Sequence, residues 1–130
     1  MASILLIDDD DDLRSIVAMM LTSAGHLVRE AADGSAGLKL YRENPADIII
    51  TDLVMPEKEG LAVIIELRKI NPQVRIIAIS GGFAFDSKLY LSMARKLGAD
   101  QVLRKPFLPD ELKAAVNALL PPPATPANPA

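Results

Sequence analysis

Ile4-Leu5-Leu6-Ile7-Asp8-Asp9-Asp10-Asp11-Asp12-Leu13-Arg14-Ser15-Ile16-Val17 is the stretch on which the fold turns. Its first four residues have the length of a short strand and no polar alternation, as expected of a strand covered on both faces. Five carboxylates then stop the apolar run. Beyond them Leu13, Ile16, Val17, Met20 and Leu21 recur at i, i+3, i+4, i+7 and i+8, one stripe of a helix. Gly25 offers that helix its stop. A buried strand, an acidic turn and an amphipathic helix make one βα unit.

The same unit repeats along the chain. Residues 47–51, 74–79 and 101–104 read as further strands, and 27–31 as a weaker one whose polar pair, Arg29 and Glu30, suggests a sheet edge. Helical periods occupy about 35–43, 60–70, 87–97 and 109–120, and Asn44-Pro45 and Asn71-Pro72 end two of them just ahead of strands. Five consecutive βα units predict an α/β domain with a parallel sheet and helices on both faces. At this length the flavodoxin-like, doubly wound strand order 2-1-3-4-5 is the natural choice. Residues 1–120 form the expected domain. Residues 121–130 hold five of the ten prolines, no charge and no large apolar side chain, and are expected to be a disordered, Pro/Ala-rich tail.

Composition narrows the function. The chain has 130 residues and a net charge of −3, and subtracting the five acids of the run leaves the rest at +2. The acidity is local and needs a local reason. A length of 130 fits one domain, and 50% apolar residues is ordinary globular composition. The absence of Cys excludes a disulfide scaffold, a thiolate metal site and a Cys nucleophile. Lacking a basic patch, the chain is not expected to bind nucleic acid directly. Its apolar runs fall far short of the roughly 20 residues that span a membrane, and no signal peptide runs into five carboxylates. A cytoplasmic domain is the expectation.

In an open parallel sheet, ligands bind beyond the carboxyl ends of the strands. The first strand ends at Asp8-Asp9, the third at Asp52, the fourth at Ser80 and the fifth at Lys105. Three carboxylates in close proximity carry repulsion on the order of 10 kcal/mol at an effective dielectric of 20, and one lysine offsets only part of it. Either a carboxyl takes up a proton or a divalent cation binds. Oxygen-only donors, with the single His26 away from the cluster, favour Mg²⁺. A cation, an ammonium and a hydroxyl around a nucleophilic aspartate are what phosphoryl transfer requires. Asp10, Asp11 and Asp12 read instead as N-cap and first-turn acids of the first helix, and His26 as an exposed loop residue.

The motifs Ile4-Leu5-Leu6-Ile7-Asp8-Asp9 with Arg14, Asp47-Ile48-Ile49-Ile50-Thr51-Asp52-Leu53-Val54-Met55-Pro56 with Gly60, Ile79-Ser80-Gly81 and Lys105-Pro106-Phe107 occur in order. Together they resemble the receiver domain of two-component response regulators, over about residues 3–120, as a stand-alone receiver. The resemblance implies that Asp52 accepts phosphate from a histidine kinase or a histidine phosphotransfer protein, switching the binding of an unknown downstream protein. It further implies Mg²⁺ on Asp8, Asp9, Asp52 and the backbone carbonyl of Val54. Ser80 and Lys105 would hold phosphoryl oxygens, and Lys105-Pro106 would be a cis peptide, inexpensive only before proline.

Four features depart from the family pattern. Val102 stands where an aromatic is usual, so the rotation of a ring that accompanies movement of the serine is lost. Ser80-Gly81-Gly82-Phe83-Ala84-Phe85 lengthens the loop before the fourth helix and predicts mobility there. Val54 and Gly82 occupy positions that tune the lifetime of the phosphate. No output domain is expected after the tail. Two other functions use similar parts: a haloacid-dehalogenase-like phosphatase, for which Asp8-Asp9-Asp10 supplies an Asp-x-Asp, and a receiver-like scaffold independent of phosphate. The phosphatase needs a further acidic pair, for which only Asp110-Glu111 is available, and a cap domain for which there is no room.

Overall fold

The computed structural model of the chain describes residues 2–53, 60–80 and 87–120. The expectations placed on Val54, on Met55-Pro56, on the loop 81–85 and on the tail 121–130 lie outside the described residues. Ile4, Leu5, Leu6 and Ile7 lie in β1 (Ser3–Ile7), each at most 1% exposed. Burying such side chains contributes about 1.5–3 kcal/mol apiece. β1 is covered on both faces because its pleat sends Ile4 and Leu6 into one core and Leu5 and Ile7 into the other.

The remaining elements follow in alternation: α1 (Asp11–Ser23), β2 (Leu27–Ala31), α2 (Gly34–Glu43), β3 (Ile48–Asp52), α3 (Gly60–Ile70), β4 (Arg75–Ser80), α4 (Ser87–Leu97), β5 (Gln101–Arg104) and α5 (Pro109–Leu119). The five strands pair in parallel in the order β2-β1-β3-β4-β5, as the sequence predicts, with β2 at an edge. Val17, Ala18 and Leu21 of α1 and Leu112, Ala115 and Val116 of α5 pack on one face. Leu38 and Tyr41 of α2, Val63, Ile64 and Leu67 of α3, and Ala94 of α4 pack on the other. No helix among the described residues is long and apolar enough to cross a membrane.

Local chemistry explains the element ends. Asp10 is the N-cap of α1, its side chain accepting from the Leu13 amide, with Asp11 and Asp12 in the first turn. Gly25 follows α1 with φ +96°, a left-handed conformation that side chains disfavour. Asp33 caps α2 through the Ala36 amide, and the Glu111 carboxylate accepts from the Leu108 amide at the start of α5. β3 and β4 each begin and end one residue later than the apolar runs suggest. Asp47 stays outside β3 because its carboxylate accepts from the Ser3 amide at 2.9 Å. The shift makes Asp52 and Ser80 the last residues of their strands.

Two expectations are corrected. His26 is not an exposed loop residue: it is 8% exposed, and its Nδ1 accepts from the Ala2 amide at 3.0 Å. Ile16 belongs to the apolar period of α1 yet is 55% exposed. The sheet lies under Val17, Ala18 and Leu21, so the buried face is rotated towards Ala18.

Candidate functional site

The strand ends bring Asp8, Asp9 and Asp52 together. One carboxylate oxygen from each lies within 4.8 Å of the others, with Asp8 and Asp52 buried and Asp9 exposed. β1 and β3 are hydrogen-bonded neighbours, so acids 44 positions apart in the chain end on the same rim. Lys105, the residue after β5, places its Nζ 2.9 Å from Asp52 Oδ2 and 3.4 Å from Asp8 Oδ2. Its own amide donates to the Ser80 carbonyl at 2.8 Å, tying the lysine to the end of β4. The Lys105-Pro106 bond is cis.

Electrostatics agree with the geometry. Burial pushes the Asp8 carboxyl above its ordinary value, and the charge of Asp52 pushes the same way, while the Asp10 amide and Lys105 act against them. Burial disfavours the Lys105 ammonium, but the hydrogen bond to Asp52 and the charges of Asp52 and Asp8 prevail and raise its pKa. The cluster keeps one internal cation and still carries an excess of carboxylate.

Two observations test whether the residues fit a hard cation and a phosphoryl group. The donors are carboxylate oxygens alone, the chemistry Mg²⁺ selects. Ser80 is fully buried, and its hydroxyl has no hydrogen-bond partner among the described residues. A buried hydroxyl left unpaired costs free energy, and a ligand oxygen at this rim would supply the partner it lacks. Both observations fit.

Other predicted residues fall where they can be judged. Val102 is half-buried and packs on the core beneath α3 and α4, bringing no ring to that position. Asp10 turns its carboxylate into the α1 cap, so the second acid of an Asp-x-Asp site is committed elsewhere. Glu111 is likewise committed to the start of α5. Composition and spacing left Arg14 and Glu30 without a role; Arg14 proves to contact the β1–α1 turn, and Glu30 to hold Arg14. Arg14 Nη1 donates to the Asp8 carbonyl at 2.7 Å, and Nε donates to Glu30 at 3.1 Å. The available signal was a lone arginine just after five acids.

The family model for the response regulator receiver domain matches residues 4–117. The DNA-binding transcriptional regulator NtrC of Azospirillum brasilense is 37% identical over 131 residues, which cover 98% of this chain and 27% of that protein. The sensor kinase CckA of Brucella abortus is 37% identical over 124 residues, 92% of this chain and 12% of the kinase. The chain thus spans well under half of these curated relatives. Among solved structures, a response regulator receiver domain protein from Clostridium thermocellum superposes with a TM-score of 0.84 at 32% identity, covering 92% of this chain and 94% of the other. The receiver domain of NtrX from Brucella abortus superposes equally well at 28% identity, covering 90% and 97%.

Proposed function

The chain belongs to the response regulator receiver domain family, and on that premise we propose that Asp52 is its phosphoacceptor in a two-component phosphorelay. The observation that carries this reading is the position of Lys105 Nζ, 2.9 Å from Asp52 in a cluster of three convergent carboxylates. One carboxylate oxygen of Asp52 attacks the phosphorus of a phosphohistidine on a histidine kinase or histidine phosphotransfer protein. The P–N bond breaks, the imidazole leaves with the electron pair and takes up a proton, and an acyl phosphate remains on Asp52.

Asp8, Asp9 and Asp52, with the backbone carbonyl of Val54, are the residues that would hold Mg²⁺. When bound, that ion neutralises charge on the phosphoryl oxygens. Lys105 exchanges part of its contact with Asp52 for a phosphoryl oxygen, keeping its positive charge on the developing anion. The Ser80 hydroxyl donates to another phosphoryl oxygen and so gains the partner it lacks. The same groups assist both formation and hydrolysis of the acyl phosphate, because both reactions move a phosphoryl group through one charged pocket.

Movement of Ser80 towards the phosphate biases a two-state surface that an unidentified downstream protein reads. Val102 leaves that coupling without a rotating ring. Residues 1–120 constitute the receiver and 121–130 a tail outside it, acting in the cytoplasm where phosphorylated kinases reside. Incubation with acetyl phosphate and Mg²⁺ tests the proposal by phosphate stoichiometry. One equivalent per chain is expected in the wild type, and none in Asp52→Asn or after chelation of the metal. Undiminished labelling of Asp52→Asn overturns the assignment.

A further inference from the structure

Asp9 is the exposed member of the acid cluster, and its carboxylate has no hydrogen-bond or ion-pair partner among the described residues. Asp8 differs: its Oδ1 accepts from the Asp10 amide at 2.9 Å, and its Oδ2 faces Lys105. Asp9 is thus aimed by its backbone alone, and the peptide that joins it to Asp8 sets that aim. That peptide carries the Asp8 carbonyl, and Arg14 Nη1 donates to it at 2.7 Å. On the other side of Asp8, its amide donates to the Ala31 carbonyl at the end of β2 at 3.1 Å.

Arg14 is itself fixed from three directions. Nε meets Glu30 Oε1 on β2 at 3.1 Å, Nη2 meets Asp11 Oδ1 at 2.7 Å, and the side chain is only 14% exposed. All three guanidinium nitrogens are engaged, and two of them bridge the acidic turn to the neighbouring strand. A point charge on a flexible stem cannot reproduce such a fork. From this geometry we infer that Arg14 is a positioning residue for the cation site: by clamping the Asp8 carbonyl to β2 through Glu30, it holds Asp9 in its ligating orientation before any metal arrives.

The inference rests on the reading of Asp8, Asp9 and Asp52 as the cation site, and its sign separates it from simpler roles. If Arg14 acted on the site only through its charge, removing that charge would tighten the binding of a dication. If Arg14 merely stapled α1 to β2, its removal would lower stability without moving metal affinity. Positioning predicts weaker binding. Groups that orient metal ligands typically cost about 10–100-fold in affinity when removed, and the lower end suits a carbonyl clamp.

The test is titration of the full chain with Mg²⁺ alone, by calorimetry and by amide chemical shifts, beside unfolding midpoints in chelator. Wild type is expected to saturate, Asp9→Asn to lose most binding, and Arg14→Ala to bind Mg²⁺ about tenfold more weakly than wild type. Arg14→Ala that binds Mg²⁺ as tightly as wild type, or more tightly, overturns the role of Arg14 while leaving the site intact. Wild type that fails to bind, or Asp9→Asn that binds as wild type does, removes the cation site and the inference with it. Should Arg14→Ala not fold, Arg14→Lys decides. It preserves the charge, so affinity weakened by about threefold or more supports positioning and unchanged affinity refutes it.

Discussion

At the scale of single residues, the site combines groups that are individually costly to the folded chain. Ser80 is the sharpest case, because its buried hydroxyl is unpaired among the described residues. Ser80→Ala is therefore expected to leave the metal-free protein as stable or to stabilise it by about 1 kcal/mol, while slowing phosphoryl uptake; unfolding curves and labelling rates measure the two effects. Away from the site, His26 is a second costly group. Burial, reinforced by the charge of the amino terminus, lowers its pKa from the ordinary 6.5, and its Nδ1 must stay unprotonated to accept from Ala2. The unfolded chain takes up a proton at His26 as pH falls below 6.5 and the folded chain does not, so stability is lost from there down to the folded value. His26→Asn, whose amide oxygen can replace Nδ1, is expected to flatten that part of the stability profile, measured by denaturant unfolding between pH 7 and 5. Asp8 and Asp9 were legible in the sequence because they stop the apolar run Ile4–Ile7, and Asp52 because it closes the strand-like stretch Ile48-Ile49-Ile50-Thr51. The setting of His26 was not, since its partner lies 24 residues away and across a turn.

At the scale of elements, the ends of helices and strands decide how firmly the site is held. α3 starts against the end of β3: a Cβ on Gly60 would lie 2.2 Å from the Asp52 carbonyl oxygen and 2.7 Å from Leu53 Cα. Neither backbone atom can yield cheaply, so Gly60→Ala is expected to cost about 2–3 kcal/mol and to disturb Asp52, read by thermal unfolding and by the Asp52 amide shift. At the opposite end of α3, Arg68 donates to the carbonyls of Pro72, Val74 and Gly98 and pairs with Asp100 at 3.1 Å. Arg68→Ala leaves those acceptors unpaired in a half-buried setting and should cost about 3 kcal/mol without altering Mg²⁺ affinity, since the site is at the other end of the strands. The apolar run was enough to predict β1 and the apolar period to predict α1, but not which part of the α1 stripe meets the sheet. Ile16 obeys the period and is exposed because the helix axis, set by packing on β1 and β2, turns Ala18 inward instead. Arg14 was visible only as part of a motif, because its contacts depend on how β2 lies beside β1.

For the whole molecule, five βα repeats predict the parallel sheet and the chain length selects the order 2-1-3-4-5, which brings the acids and the lysine to one rim. Cation binding should couple to global stability, because the folded rim assembles ligands from β1 and β3 that the unfolded chain scatters. At Mg²⁺ one hundred times its dissociation constant, mass action adds about 2.7 kcal/mol, so the unfolding midpoint should rise with Mg²⁺ in wild type and stay flat in Asp9→Asn. The central claim is that one aspartate among three carries the phosphoryl group. Borohydride reduces an aspartyl phosphate to homoserine, which marks the acceptor permanently and can be located by peptide mass spectrometry. After treatment with acetyl phosphate and Mg²⁺, homoserine is expected at position 52, with aspartate retained at positions 8 and 9. Homoserine at 8 or 9, or none at 52 in protein that has taken up phosphate, would contradict that claim.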